Sequence, residues 1–260
     1  MFLFLGDSFT WGQGLYFEKW IIENQKSKID KINKLTPADL RHECFSFEDN
    51  QFRIQNSFPY IVSSHYNMNY FNPRWLNGGS NYDIFYQLKS LPPSTIDPVT
   101  HIIIQLTDFW RPMPNYLTSY FTKKEQEGVD IHNLEKKYGR DISIFNKMID
   151  TQLSILSEIF NNLGDKIKIY VLCWQNDISE KFIQKFGNEL LIPIRYNDVY
   201  YNSFDWMLDT VSLQKKYGIF DNHFSIEGHH IISNSIIEKI GKINTTNKNY
   251  LYLENLKINE

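Results

Sequence analysis

Short apolar runs bounded by turn residues alternate along this chain with longer stretches whose apolar residues recur at helical spacing. Phe2 to Leu5 is a continuous apolar run ended by Gly6, the pattern of a strand buried on both faces. His101 to Leu106 (HIIIQL) and Ile167 to Cys173 (IKIYVLC) are β-branched runs of strand length, and the spacing between them predicts a long helix over about 142–163. Residues 68–72 predict a second strand and 190–194 a fifth. Ser57-Phe58-Pro59 reads as a helix start, with Ser57 as N-cap and Ile61, Val62 and His65 continuing along it. A second helix is predicted over residues 81–91. The last, over about 226–240 behind Ser225, carries Ile232, Ile236 and Ile240 on one face. Strands alternating with helices imply a parallel sheet covered on both sides. The expected fold is α/β, a three-layer α/β/α sandwich around a mostly parallel five-stranded sheet.

Two stretches interrupt this alternation. Residues from about 17 to 56 are polar, with one helix predicted around 17–34 and no strong core pattern, and they read as an insertion or cap. The expected organisation is one domain over 1–241, with polar insertions at about 15–56 and 109–140 and a peripheral polar tail over 242–260. The 260 residues suffice for a sizeable core.

Composition narrows the partners. A formal net charge of -3 on mixed acidic and basic residues provides no basic face for a phosphate backbone, so nucleic acid is not expected. Cys44 and Cys173 stand far apart without zinc-ligand spacing or a disulfide framework. His229 and His230 are adjacent on a predicted helix and point in different directions, so no metal site is expected. No stretch approaches the ~18 to 20 apolar residues of a membrane span. The run Met1–Leu5 is too short for a signal-peptide core. A soluble, cytoplasmic protein is expected, unless another machine exports it or a particle carries it; nothing fixes its oligomeric state.

Candidate chemistry lies at two places. Gly6-Asp7-Ser8-Phe9-Thr10-Trp11-Gly12-Gln13-Gly14 follows the first strand directly. Ligands of open parallel sheets bind beyond the carboxyl ends of the strands, which puts Ser8 where a nucleophile belongs. Gly6 permits a tight strand exit, and the turn can present the Ser8 hydroxyl and its own N–H. Asp221-Asn222-His223-Phe224-Ser225 precedes the last helix. A loop there can hold the imidazole beside Ser8 while a carboxylate fixes its tautomer.

Together the two blocks resemble the SGNH (GDSL-type) hydrolase family, whose first block is GDS before a glycine-containing turn and whose last carries Asp and His ahead of a helix with a Gly-His pair. The resemblance spans Phe2 to about Ile240. It implies the flavodoxin-like SGNH fold, Ser8 as nucleophile, His223 as general base, Asp221 as the orienting carboxylate, no cofactor, and a small or medium acyl ester as substrate, O-acetyl groups on carbohydrate included. It also implies an oxyanion hole from the Ser8 N–H, a glycine after the second strand and a side-chain donor after the third. Gly78 fits the second place, with Gly79 as alternative.

The chain departs from that pattern twice. Gln105-Leu106-Thr107-Asp108 stands where the family has Gly-x-Asn-Asp, so Thr107 is expected to donate its hydroxyl in place of the Asn amide. Phe220 holds the position three before His223, and Asp221 lies only two before it. Asp7, Gly79, Asn81, Asp108, Arg111 and Trp174 are substrate-binding candidates, with Asn176 and Asp177 beyond the fourth strand. An O-acyltransferase using the same residues, or a degenerate glycan-binding or structural protein, are the alternatives.

Overall fold

Phe2–Leu5 forms the strand β1, and the alternation of its side chains decides the layering. Phe2 and Phe4 point to one face and Leu3 and Leu5 to the other, all fully buried. The computed structural model describes residues 1–32, 45–73, 79–109, 111, 113–123, 125–126, 142–164, 166–241 and 252–253. After β1 come α1 (Ser8–Trp11), α2 (Gly14–Ile22), α3 (Lys26–Ile32), α4 (Phe47–Asn56), α5 (Phe58–Tyr66), β2 (Tyr70–Phe71), α6 (Asn81–Ser90), α7 (Pro93–Ile96) and β3 (His101–Leu106). Then follow α8 (Ile142–Leu163), β4 (Lys168–Cys173), α9 (Asn176–Phe186), the hairpin β5 (Ile194–Tyr196) and β6 (Val199–Tyr201), α10 (Leu208–Val211), α11 (Leu213–Tyr217) and α12 (Ile226–Ile240).

Four strands make the body of the sheet, all parallel, in the order β4-β3-β1-β2. Tyr252–Leu253 runs parallel beside β2. Leu3, Leu5, Ile102 and Ile104 pack against Tyr82 and Phe85 of α6, Leu153 and Leu156 of α8 and Phe182 of α9. On the other face, Phe2, Phe4 and Ile103 meet Phe58 and Val62 of α5 and Ile232 and Ile236 of α12. The chain winds from β1 to β2 on one side and crosses back to β3 on the other. Parallel sheets open a crevice at such a reversal, beyond the carboxyl ends, and here that is between β1 and β3.

The fifth strand expected over 190–194 is not a ladder strand. Leu191 makes a single parallel bridge to Val171, and Ile194 instead starts the antiparallel β5–β6 hairpin. Pro193 lacks the N–H a continuing ladder needs. Asn197 and Asp198, both at positive φ, turn the hairpin.

The described residues of the stretch read as a polar insertion form an aromatic subcore. The single helix expected around 17–34 is two helices, α2 and α3, separated at Asn24, which has φ 53°. Trp11, Tyr16, Phe17, Trp20, Ile32 and Phe45 pack together with Leu213 and Ile219 from the far end of the chain. The Tyr16 and Phe45 rings stack at 3.7 Å. Lys19 is buried but paired with Asp49 at 2.7 Å, an acceptor shared with the Trp20 indole N–H. Arg53 lies buried over the Trp11 ring and donates to the Trp11 carbonyl and the Tyr16 hydroxyl. Of the second expected insertion, Leu117 and Phe121 belong to the core on the α6–α8 face; residues 127–140 lie outside the described residues. No helix among the described residues is long and apolar enough to cross a membrane.

Candidate active site

β1 ends at Leu5, and Gly6 allows the chain to turn at once into α1. A Cβ on Gly6 would collide with the Thr10 side chain and lie 2.9 Å from Gln105 Cβ, so close approach of β3 and α1 requires glycine there. Asp7 is the N-cap of α1, and its Oδ1 accepts the Phe9 N–H at 3.0 Å. Gln105, at the end of β3, bridges the turn by accepting from the Thr10 hydroxyl and donating to Asp7 Oδ1 at 2.9 Å. Thr107 Oγ1 donates to Asp7 Oδ2 at 2.8 Å, and Arg111 lies 3.2 Å from the same oxygen. Asp7 is thus a fully buried strut of the Ser8 turn, joined to the end of β3 on both carboxylate oxygens.

The His223 loop is built between α11 and α12. Its backbone is pinned to the start of α11 by Leu213 N–H to the His223 carbonyl and Gln214 N–H to the Asp221 carbonyl. Asp221 Oδ1 accepts the His223 backbone N–H at 2.8 Å, an Asx turn, and the same oxygen lies 2.9 Å from His223 Nδ1. The turn explains why an Asp two residues before the His reaches the ring. His223 Nε2 is 2.8 Å from Ser8 Oγ. Asp221, His223 and Ser8 therefore form an unbroken hydrogen-bonded series across 215 residues of sequence separation. No family model, curated protein or solved structure matches this chain.

The electrostatics suit a proton acceptor. Burial opposes the charged imidazole of His223, but the Asp221 carboxylate beside Nδ1 outweighs it. Asp7 adds to Asp221 and Arg111 opposes, and the pKa is raised above the ordinary 6.5. Six residues on, His229 has no such partner. It is buried in α12, its Nδ1 accepts the Phe58 N–H at 3.3 Å, and burial together with the nearby His223, His230 and Arg53 lowers its pKa to about 3. Among the described residues no group of three or more His, Cys, Asp or Glu side chains converges as a metal site.

A cavity of about 320 Å³ opens on the pair, lined by Ser8, Phe9, Arg111, Gln214, Phe220 and His223 among others. A larger hollow of about 490 Å³, beside the start of β4, is lined by Phe160, Lys168 and Glu189 and holds neither Ser8 nor His223.

The substrate-binding candidates take different places. Arg111 lines the cavity. Asp7 and Asn81 are framework: Asn81 Oδ1 accepts the Thr107 N–H at 2.9 Å, and its Nδ2 donates to the Thr107 carbonyl and to Gln152. Trp174 and Asp108 flank the site. The Trp174 ring packs on Phe9 and Phe204 at 4.8 and 4.9 Å, and the Asp108 carbonyl accepts the Arg111 N–H. Gly79 gives its carbonyl to Arg111, while Gly78 lies outside the described residues. Asn176 and Asp177 are exposed in the first turn of α9.

Thr107, expected to donate its hydroxyl to an oxyanion, has that hydroxyl bonded to Asp7. Its hydroxyl proton is taken by Asp7 Oδ2 and its N–H by Asn81 Oδ1. The carboxylate that competes for it lies one hundred residues away in sequence, so spacing alone gave no sign of the bond.

Two residues were given no role by the sequence reading, Glu18 and Gly14. Glu18 of α2, 1% exposed, accepts the Ile226 N–H at 2.5 Å and the Tyr217 hydroxyl at 2.7 Å, with Lys216 at 3.4 Å. One carboxylate thereby joins the end of α11 to the start of α12, on either side of the His223 loop. Gly14 packs directly beneath His223, where a Cβ would lie 2.5 Å from the His223 Cβ. The signal in sequence was an acidic residue inside an otherwise aromatic stretch, Leu15-Tyr16-Phe17-Glu18-Lys19-Trp20.

Proposed function

We propose that this chain is a serine esterase of SGNH (GDSL) type that hydrolyses an ester through an acyl-enzyme on Ser8. The observation that carries the reading is the series Asp221–His223–Ser8, with contacts of 2.9 and 2.8 Å beside a cavity. Ser8 Oγ bonds to the ester carbonyl carbon while its proton passes to His223 Nε2, and the carbonyl electron pair moves onto oxygen. When that pair returns, the ester C–O bond breaks and the leaving alcohol takes the proton from His223. Water then repeats the sequence against the acyl-enzyme, releasing the acid and restoring Ser8.

Asp221 keeps the imidazole oriented with Nε2 toward Ser8 and favours the imidazolium formed in each half-reaction. Among the described residues no acceptor takes the Ser8 N–H, which suits it as an oxyanion donor. Gly78 is its proposed companion. Gln214, Asn222 and the exposed Phe220 at the cavity margin support a small acyl group on a polar alcohol, such as an acetylated sugar.

Ser8→Ala tests the reading. Hydrolysis of p-nitrophenyl acetate is expected to fall by ~10⁴-fold or more, with the thermal midpoint unchanged because the hydroxyl fills no core volume. A fluorophosphonate is expected to label the wild-type protein at Ser8; a variant retaining more than a few per cent of turnover rejects the assignment.

A further inference from the structure

The geometry around Asp7 leaves the oxyanion site without its expected side-chain donor. A hydroxyl carries one proton, and that of Thr107 goes to Asp7 at 2.8 Å. A second feature makes the deficit costly. Asp7 is a buried carboxylate next in sequence to Ser8, and its charge repels the negative charge that grows on the acyl oxygen.

Arg111 meets both conditions. It lines the same cavity as Ser8 and His223, with about a third of its side chain exposed. Its NH1 stands 3.2 Å from the Asp7 oxygen that Thr107 also contacts, and donates to the Gly79 carbonyl at 2.7 Å. Among the described residues both contacts fall on NH1. The Nε–H and the NH2 hydrogens of this five-donor fork are therefore not taken up by Asp7 or Gly79. Because NH1 is anchored at two points, the plane of the fork is set before substrate arrives, the condition under which an electrostatic donor is most effective.

We propose that Arg111 is a catalytic residue of this site, donating from its guanidinium to the oxyanion formed at Ser8 in the place that a side-chain amide holds in the SGNH pattern. The assignment rests on the esterase reading. No bond forms or breaks at Arg111; the charge it stabilises is the carbonyl electron pair during its stay on oxygen. Neutralising Asp7 and receiving the oxyanion are then two uses of one cation.

The test compares Arg111→Met, Arg111→Lys and Thr107→Val in the full chain with p-nitrophenyl acetate. Arg111→Met is expected to lose ~10²-fold in kcat with KM little changed, since the contact is made in the transition state. Added guanidinium ion should restore part of the loss. A trifluoromethyl ketone, which forms a tetrahedral adduct on Ser8, should bind more weakly by a similar factor. Arg111→Lys keeps a charge beside Asp7 and loses the fork, so it should fold and still fall by ~10-fold or more, which keeps the test decisive if the Met variant does not fold. A raised KM at unchanged kcat would make Arg111 a ground-state contact and overturn the proposal. So would a large kcat loss in Thr107→Val beside normal turnover in Arg111→Lys. Failure of a fluorophosphonate to label wild-type Ser8 rejects the esterase reading and this proposal together; labelling with undiminished kcat in both Arg111 variants rejects the proposal alone.

Discussion

Ser8 stands on a turn held from the sheet, whereas His223 stands on a loop held by helices outside it. The first is fixed through Asp7, which takes bonds from Gln105 and Thr107 at the end of β3. Strands paired over four residues, as β1 and β3 are, leave such a turn little freedom. The second depends on three polar arrangements: the Asx turn at Asp221, the backbone bonds to α11, and the Glu18 clamp. A carboxylate ties the Ser8 turn to the sheet, whereas the carboxylates of Asp221 and Glu18 tie the His223 loop to itself and to the helices around it. It follows that substitutions around His223 should change rate and pH response strongly, while those beneath Ser8 should register more in stability.

The sharpest way to break this contrast is Asp221→Asn. The proposed reaction needs neutral His223, so activity is expected to be lost as pH falls through its folded pKa, which Asp221 raises above 6.5. The wild-type acid limb should therefore have its midpoint above 6.5. In Asp221→Asn, burial acts without its counterweight, so the midpoint should move down. The plateau should fall by ~10³–10⁴-fold, because the imidazole loses its orienting charge. A kcat/KM profile against pH for both proteins checks both statements, and an unmoved midpoint would remove Asp221 from the role.

Glu18→Ala comes next. It leaves the Ile226 N–H and the Tyr217 hydroxyl without their acceptor, costing about 1–3 kcal/mol of stability, and it frees both ends of the base loop. Misplacement of a reacting group by an ångström can cost ~10²-fold, so a kcat loss of ~10- to 100-fold is expected, with KM near its original value. Glu18→Gln retains an acceptor for Ile226 and should recover most of the rate. If the Ala variant is less stable yet turns over normally, the clamp holds the helices without serving the histidine.

Thr107→Val should have the smallest effect on rate. It removes a hydrogen bond to a buried carboxylate, worth about 1.5–3 kcal/mol, and should lower the thermal midpoint while kcat changes by less than about fivefold. A ~10²-fold loss of kcat at constant KM, the size expected for an oxyanion donor, would return Thr107 to the hole.

Much of this arrangement was legible in sequence where periodicity and turn chemistry agree. β1, β3, α8 and α12 lie where the apolar runs and caps placed them, and Ser8 and His223 meet as the two end blocks implied. What was hidden depended on partners distant in sequence. α2 showed no clean apolar stripe because Glu18 and Lys19 are buried with it, each satisfied by residues 30 to more than 200 positions away. Thr107 was assigned by analogy of position, but which acceptor its hydroxyl finds is set by the proximity of α1 to β3. The strand expected over 190–194 failed at Pro193, whose missing donor outweighed the apolar run around it.

Gly14 carries a consequence for how the chain can be cut and recombined. The residue opening α2 packs against the His223 Cβ, and the helix it opens supplies the clamp on the His223 loop. The described residues 14–32, 45–56 and 208–225 are therefore one inheritable unit rather than a core with a removable ornament. Grafting the His223 loop onto another scaffold would require this wall to travel with it, and deleting the wall would leave a serine with an intact turn and a base with nowhere to stand.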